Sequence, residues 1–261
     1  MSKIKAVFFD IDGTLIGLKS KQIPASTLEA LKLLKDKGIK IIISTGRSYA
    51  HAKFLKEHGF DGFITFNGSY CVAEDEEVLF KHVIAPEDLQ LLHDHQELSG
   101  RFPVGVMTTD GSYISEINDD VLSIFDLLKL QVPAALPFQE VLNKEVLQLN
   151  LFVDETREQF LVTEVFRNCE SSRWCPVFTD VNARGISKRI GMEHFLNRFG
   201  INMAESMAFG DGGNDIRMLE AAGIGVAMEN AGDDVKQAAH YVTATTEEDG
   251  IWHALKAHAV I

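Results

Sequence analysis

The chain has 261 residues, enough for one large α/β domain or two smaller ones, and its 46% hydrophobic and 24% charged residues are the balance of a soluble globular protein. Its 38 Asp and Glu outnumber its 25 Lys and Arg, a formal charge of −13. That balance argues against nucleic acid or an anionic membrane as partner, because phosphates there are held by Lys and Arg, and an acidic protein that acts on phosphates needs a local remedy such as a cation.

Residues 4–9 are a short apolar run ending in acidic and Gly residues, which predicts a buried strand and then a loop. Residues 24–37 carry Leu28, Leu31 and Leu34 at helical spacing and close on Gly38, an amphipathic helix with a glycine stop. A second strand over 39–44 ends at Thr45-Gly46-Arg47, a helix over 49–58 stops at Gly59, and a third strand over 62–66 ends at Asn67-Gly68. This alternation implies a parallel sheet with right-handed crossovers, in which ligands bind beyond the carboxyl ends of the strands. Asp10, Thr45 and Asn67 all fall there.

The stretch 83–183 reads differently, with helices over 86–98, 121–129 and 156–168 and strands over 102–107, 112–115, 146–152 and 174–181. Mixed strands and helices with turn-rich links predict an α+β module inserted into the first domain. The last part returns to the earlier grammar: a helix over 187–199 closed by Gly200, a strand over 206–209, and the loop Gly210-Asp211-Gly212-Gly213-Asn214-Asp215. A helix over 216–222, a strand over 223–227, a helix over 233–239, a strand over 241–243 and a terminal helix to 258 follow. The predicted fold is α/β: a doubly wound parallel-sheet (Rossmann-like) core made of 1–82 and 184–261, with the insert at 83–183 between them.

Asp10-Ile11-Asp12-Gly13-Thr14 places two carboxylates at the end of a buried strand, a costly position unless they are paired or bind metal. Alone it fits an acidic turn as well as a site, since Asp-Gly is a common turn dipeptide. The loop Gly210 to Asp215 follows another apolar strand and offers two carboxylates and an amide at the same sheet edge, with glycines that let backbone approach a ligand. Such hard oxygen donors suit Mg²⁺. Ser44-Thr45-Gly46-Arg47 offers a hydroxyl and backbone N–H groups at a helix N-terminus, which reads as an anion site or as an ordinary cap.

Taken together these motifs resemble the haloacid dehalogenase superfamily, and within it the Cof-type sugar-phosphate phosphatases. Asp10 to Thr14 matches the first signature, Thr45 the second, Lys188 in Gly185-Ile186-Ser187-Lys188 the third, and Gly210 to Asp215 the fourth. Asn67-Gly68, and the length and position of the insert as an α/β cap, resemble the subfamily too. The resemblance implies a Mg²⁺-dependent hydrolase of small phosphate monoesters, sugar phosphates foremost, working through an aspartyl-phosphate. It assigns Asp10 as nucleophile and Asp12 as acid and base. It places Mg²⁺ between Asp10, the backbone carbonyl of Asp12 and Asp211, with Asp215 holding metal-bound water. Thr45, Gly46 and Lys188 bind the phosphoryl oxygens, Asn214 orients Lys188 or the phosphoryl group, and Thr14 assists. The segment Asp180 to Lys188 departs from many relatives in the residue before Gly185, where Arg184 reads as solvated.

Two other readings use the same residues: a phosphomutase on this scaffold, and a metal- or phosphate-binding regulatory protein without turnover. A pure binder has no need of a proton-shuttling Asp12, which argues against the second. The three cysteines, Cys71, Cys169 and Cys175, lack a C-x-x-C spacing and read as reduced thiols. His93 and His95 flank Asp94 on a predicted helix and face different ways, so they do not read as a metal pair. Trp174 and Arg173 fit core packing better than substrate contact. No run approaches the ~18 apolar residues of a spanning helix, and Asp10 and Asp12 break the N-terminal apolar run that a signal peptide needs. The sequence therefore predicts a cytoplasmic protein whose partner is a small phosphorylated metabolite.

Overall fold

The computed structural model describes residues 4–128, 131–173 and 177–261. The chain divides into two compact units, Met1–Lys81 with Ser187–Ile261, and His82–Ile186.

In the first unit, strands β1 (Ala6–Phe9), β2 (Lys40–Ser44) and β3 (Gly62–Thr65) are almost wholly buried. Successive side chains on a strand point to opposite faces, so an unbroken apolar run means that both faces are covered. Val7, Phe9, Ile41, Ile43 and Phe63 join one core with Leu31 and Leu34 of the helix Ala25–Asp36. Ala6, Phe8, Ile42 and Ile64 join the other. Leu28, expected on the buried stripe of that helix, is instead exposed, and Thr27 and Ala30 take its place in the packing. The third strand stops one residue early, because Phe66 and Asn67 both turn to positive φ, at 50° and 55°. A hairpin of β4 (Tyr70–Ala73) and β5 (Val78–Lys81) follows, an addition to the elements expected from the sequence. It pairs antiparallel to β3, so the sheet is mixed at this edge and not wholly parallel.

The second unit is a six-stranded sheet. Its strands are β6 (Val104–Met107), β7 (Ser112–Ile114), β8 (Ala134–Ala135), β9 (Gln148–Leu151), β10 (Cys169–Ser172) and β11 (Thr179–Ala183). Antiparallel pairing sets Asn150 opposite Asp180 and Leu149 opposite Val181. One face is thus polar, with Asn150 Nδ2 donating to Asp180 Oδ1 at 2.5 Å, while Leu149, Leu151 and Val181 pack on the helix Pro86–Ser99. Two expectations fail here. The helix expected over 156–168 runs from Glu155 to Phe160, loosens into a π turn over Leu161–Val165, and gives way to β10. The last strand lies at Thr179–Ala183, later than the expected 174–181, and Lys129, Trp174 and Cys175 fall outside the described residues. Arg173 is held within this unit: its Nε donates to Glu158 at 2.6 Å and its NH2 to the Val153 carbonyl at 2.8 Å. His93 lies against Phe138 and His95 against Phe160, so the two rings diverge.

The chain returns to the first unit through the helix Lys188–Phe199, then β12 (Ser206–Gly210), β13 (Ile224–Ala227) and β14 (Tyr241–Val242). The strand order is β14-β13-β12-β1-β2-β3-β4-β5, parallel from β14 to β3. Helices Lys188–Phe199 and Ile216–Ala221 supply Met192, Phe195, Met218 and Leu219 to one face, while the terminal helix Gly250–Ala257 covers the other. The core is therefore doubly wound. β1 has β2 on one side and β12 on the other, reached by connections that leave in opposite directions, and the crevice beyond its carboxyl end is the topological switch point.

Candidate active site

Four segments converge at that crevice. β1 ends at Phe9 and β12 at Gly210, and the pairing is tied once more by Asp10 N–H donating to the Phe209 carbonyl at 3.0 Å. Lys188 is the first residue of its helix, with Ser187 as cap. The turn Phe66–Gly68 packs against this helix start: a Cβ on Gly68, which has φ 108°, would lie 2.2 Å from the Ser187 carbonyl oxygen. Only glycine permits both that φ and that approach.

Asp10, Asp211 and Asp215 each present a carboxylate oxygen, and these oxygens lie within 4.8 Å of one another. Lys188 is fully buried, and its Nζ bridges Asp10 Oδ1 and Asp215 Oδ1 at 2.6 Å each. Asp215 Oδ2 accepts from the N–H groups of Asp211 and Gly212, both at 3.0 Å, so both oxygens of this carboxylate serve protein donors. Asp211 Oδ1 accepts from the Thr14 hydroxyl at 2.8 Å, and its Oδ2 from Asn230 Nδ2 at 2.8 Å. Asp10 accepts Lys188 on one oxygen, and its Oδ2 receives no donor among the described residues.

The electrostatics follow from burial. Loss of water pushes the Asp10 carboxyl well above its usual range, partly offset by the Lys188 ammonium and reinforced by Asp215 and Asp211. Burial, then the charge of Asp215, pushes Asp211 up to about 7, against the Thr14 hydrogen bond. Burial alone would lower Lys188, but Asp10 and Asp215 together hold it above its ordinary value. Three carboxylates around one ammonium leave an excess of negative charge in a low-dielectric crevice. The donors are hard oxygens, and each singly bonded carboxylate oxygen keeps a second lone pair. The cluster thus fits a divalent cation of the Mg²⁺ type.

Asp12 stands apart from this cluster. Its carboxylate pairs with Arg47 in a two-pronged contact, Nε to Oδ2 at 2.7 Å and NH2 to Oδ1 at 2.5 Å. Arg47 closes the segment Ser44-Thr45-Gly46-Arg47, and its partner lies 35 residues away. Thr45 sits just past β2, nearly fully buried, and its hydroxyl accepts the Arg47 N–H at 3.1 Å. The expected helix N-terminus at Thr45 is not there. The helix is the short Tyr49–Ala52, capped by Ser48, so Thr45 and Gly46 lie in the loop before it. Asn214 Nδ2 donates to Asn67 Oδ1 at 2.9 Å, a partner not anticipated. Arg184 is exposed.

The chain belongs to the haloacid dehalogenase-like hydrolase family, whose pattern matches residues 7–255. Among solved structures it resembles BT4131, described as a subclass IIB sugar phosphatase of this superfamily, at 42% identity and a TM-score of 0.92, covering 98% of this chain and 100% of that one. BT1666 from Bacteroides thetaiotaomicron is 36% identical with a TM-score of 0.92, covering 99% of this chain and 96% of that one. YitU of Bacillus subtilis (strain 168), a 5-amino-6-(5-phospho-D-ribitylamino)uracil phosphatase, is 29% identical over 260 residues, 96% of either chain. Among the described residues no helix is long and apolar enough to cross a membrane.

Proposed function

We propose that this protein hydrolyses small phosphate monoesters, sugar phosphates foremost, through a phosphoryl group carried transiently on Asp10, with Mg²⁺ held by Asp10 and Asp211. The observation that carries the reading is the buried Lys188 ammonium bridging Asp10 and Asp215 inside a cluster of three carboxylates. Phosphate-processing relatives of similar length and fold support it.

Asp10 is oriented by Lys188 on one oxygen while the other stays available to attack phosphorus. The ester oxygen leaves as an alkoxide and takes a proton from Asp12. Asp12 then accepts a proton from the water that cleaves the acyl phosphate, and Asp10 is regenerated. Arg47 engages Asp12 at the rim of the site through both oxygens, so one of these two bonds must open when Asp12 carries the proton. The backbone carbonyl of Asp12 would join Asp10 and Asp211 in holding the cation, and Asp215, whose Oδ2 accepts the Asp211 and Gly212 N–H groups, would orient water beside it. Lys188, Thr45 and the Gly46 N–H bind the phosphoryl oxygens, and Asn214, steadied by Asn67, lines them. When bound, the cation offsets the repulsion between a carboxylate and a phosphate dianion, where charge spreads over the equatorial oxygens. These groups address phosphate and metal alone, so reading of the leaving group falls to the rest of the chain.

Phosphate release from a panel of sugar phosphates and other monoesters, with Mg²⁺ and with excess chelator, tests the proposal. Release should depend on Mg²⁺ and vanish in Asp10→Asn. Full activity in chelator, or an Asp10→Asn variant with the wild-type rate, overturns it. Transfer to a second sugar without phosphate release would assign the scaffold to a mutase.

A further inference from the structure

The loop after β13, residues 228–232, carries Asn230, an exposed residue outside all four motifs. Its side-chain nitrogen nevertheless makes two hydrogen bonds into the site, to Asp211 Oδ2 at 2.8 Å and to the Gly13 carbonyl at 3.1 Å. The two protons of one amide thereby span the two loops that carry the carboxylates. The nearly buried Thr246 completes the arrangement, its hydroxyl shared between the Gly13 and Thr14 carbonyls at 2.9 Å each. The Thr14 hydroxyl then returns to Asp211 Oδ1. The result is a closed circuit running Asp211, Thr14, Thr246, Gly13, Asn230 and back to Asp211.

The circuit fixes a carboxylate from both ends. Rotation of the Asp211 carboxylate about its Cβ–Cγ bond breaks the bonds to Thr14 and Asn230 together. The spacing is tight as well: a Cβ on Gly13 would lie 2.2 Å from Asp211 Oδ2 and 3.1 Å from Asn230 Nδ2. Asn230 supplies a neutral donor and no charge, so it can orient Asp211 without competing with a cation. Losing a partner that orients a metal ligand typically costs roughly 10- to 100-fold in metal affinity.

We infer that Asn230 is a positioning residue for the cation site, clamping the loop after β1 to Asp211 so that the Asp211 carboxylate is set before metal arrives, with Thr246 bracing the clamp. The inference rests on the proposed role of Asp211 as a metal ligand, and Mg²⁺ binding measured directly by titration calorimetry separates the two. Asn230→Ala should weaken Mg²⁺ binding roughly 10- to 100-fold, with the melting temperature of the metal-free protein close to wild type because the residue is exposed. Thr246→Val should weaken it as well, and Thr246→Ser, which keeps the hydroxyl, should restore it. Glu229→Ala, which disturbs only a surface pair with Lys236, should bind as wild type does. The Michaelis constant for the phosphate ester, measured at saturating Mg²⁺, should change less than the Mg²⁺ affinity.

If wild type binds Mg²⁺ and Asp211→Asn does not, while Asn230→Ala binds as tightly as wild type, the clamp is overturned and the metal site stands. Equal Mg²⁺ affinity in Thr246→Val and wild type overturns the bracing role. A wild-type protein that takes up no Mg²⁺ overturns the site reading and the clamp with it.

Discussion

Replacing Lys188 with Met removes the ammonium that is hydrogen-bonded to the carboxylate cluster and puts an unbranched apolar side chain of similar length in its place. The Lys188 side chain is fully buried, and those of Asp10 and Asp215 are 10% and 1% exposed, so water cannot take over its role. Removing one partner of a buried ion pair costs about 3–5 kcal/mol, because the other charge stays buried and unpaired. The carboxylates have an escape: they can take up protons, as the raised values of Asp10 and of Asp211, near 7, already foreshadow. A group whose folded pKa is raised stabilises the fold below its unfolded pKa, and that contribution is lost as pH rises through the folded value. The full penalty should therefore be felt near pH 8 and should shrink towards pH 5. At roughly 2–4 °C per kcal/mol for a chain of this size, metal-free Lys188→Met should melt about 6–20 °C below wild type at pH 8. Thermal unfolding followed by circular dichroism in excess chelator, at both pH values, measures this. Mg²⁺ should recover part of the loss at pH 8. A variant that melts with wild type at pH 8 in chelator would refute the argument, since it would mean that Lys188 does not neutralise the cluster.

Metal-free wild type should itself lose stability as pH rises from about 4 to 7, because folded Asp10 and Asp211 hold protons that the unfolded chain releases near 4. Calorimetry at pH 5.5 and 7.5 in chelator tests this, and a flat profile would sink it. Arg47→Ala should change stability by no more than ~1 kcal/mol, since both partners of its ion pair are substantially solvated. Its fall in kcat should not exceed that of Asp12→Asn; a larger fall would show that Arg47 acts other than through Asp12. Gly13→Ala should weaken Mg²⁺ binding even if the protein folds, because the added carbon meets Asp211 and the φ of 88° disfavours any side chain. Unchanged Mg²⁺ affinity in that variant would refute the close approach.

Strong local signals were readable in the sequence. The apolar runs at residues 6–9, 41–43 and 207–209 marked central strands buried on both faces, and Gly38 and Gly200 marked helix stops at positive φ. Asp10, Asp211 and Asp215 were readable because they follow the ends of buried strands, whereas Lys188 was legible only through the resemblance of its motif to the family's third signature. What escaped depended on distant or weak signals. The β4–β5 hairpin turns through the acidic run Glu74 to Glu77, which reads as a solvated loop, yet Glu76 adopts a φ of 67° to make the turn. Cys169–Ser172 has little of the β-branched or aromatic character of a strand and owes its conformation to pairing with Thr179–Ala183. The roles of Arg47 and Asn230 show through partners 35 and 19 residues away, and Asn67, already placed at the sheet edge by the sequence, gave no sign of its partner Asn214, 147 residues away. A hydrogen bond between distant side chains leaves no periodicity behind it.

The middle of the larger sheet also dictates an order of assembly. Phe9 of β1 lies in register with Phe209 of β12, a separation of 209 − 9 = 200 residues. On a growing chain β1, β2 and β3 can associate early, but one long edge of β1 then stays bare until β12 has been made. A bare apolar edge is a template for pairing with other chains. The insert has no such wait: His82–Ile186 is continuous and holds a core of its own, from Ile84 to Val181. Any product ending before residue 206 would thus possess a finished insert, an unshielded β1 and only Asp10 of the three clustered carboxylates. Chemical competence arrives with the last quarter of the chain, in the same step that closes the sheet.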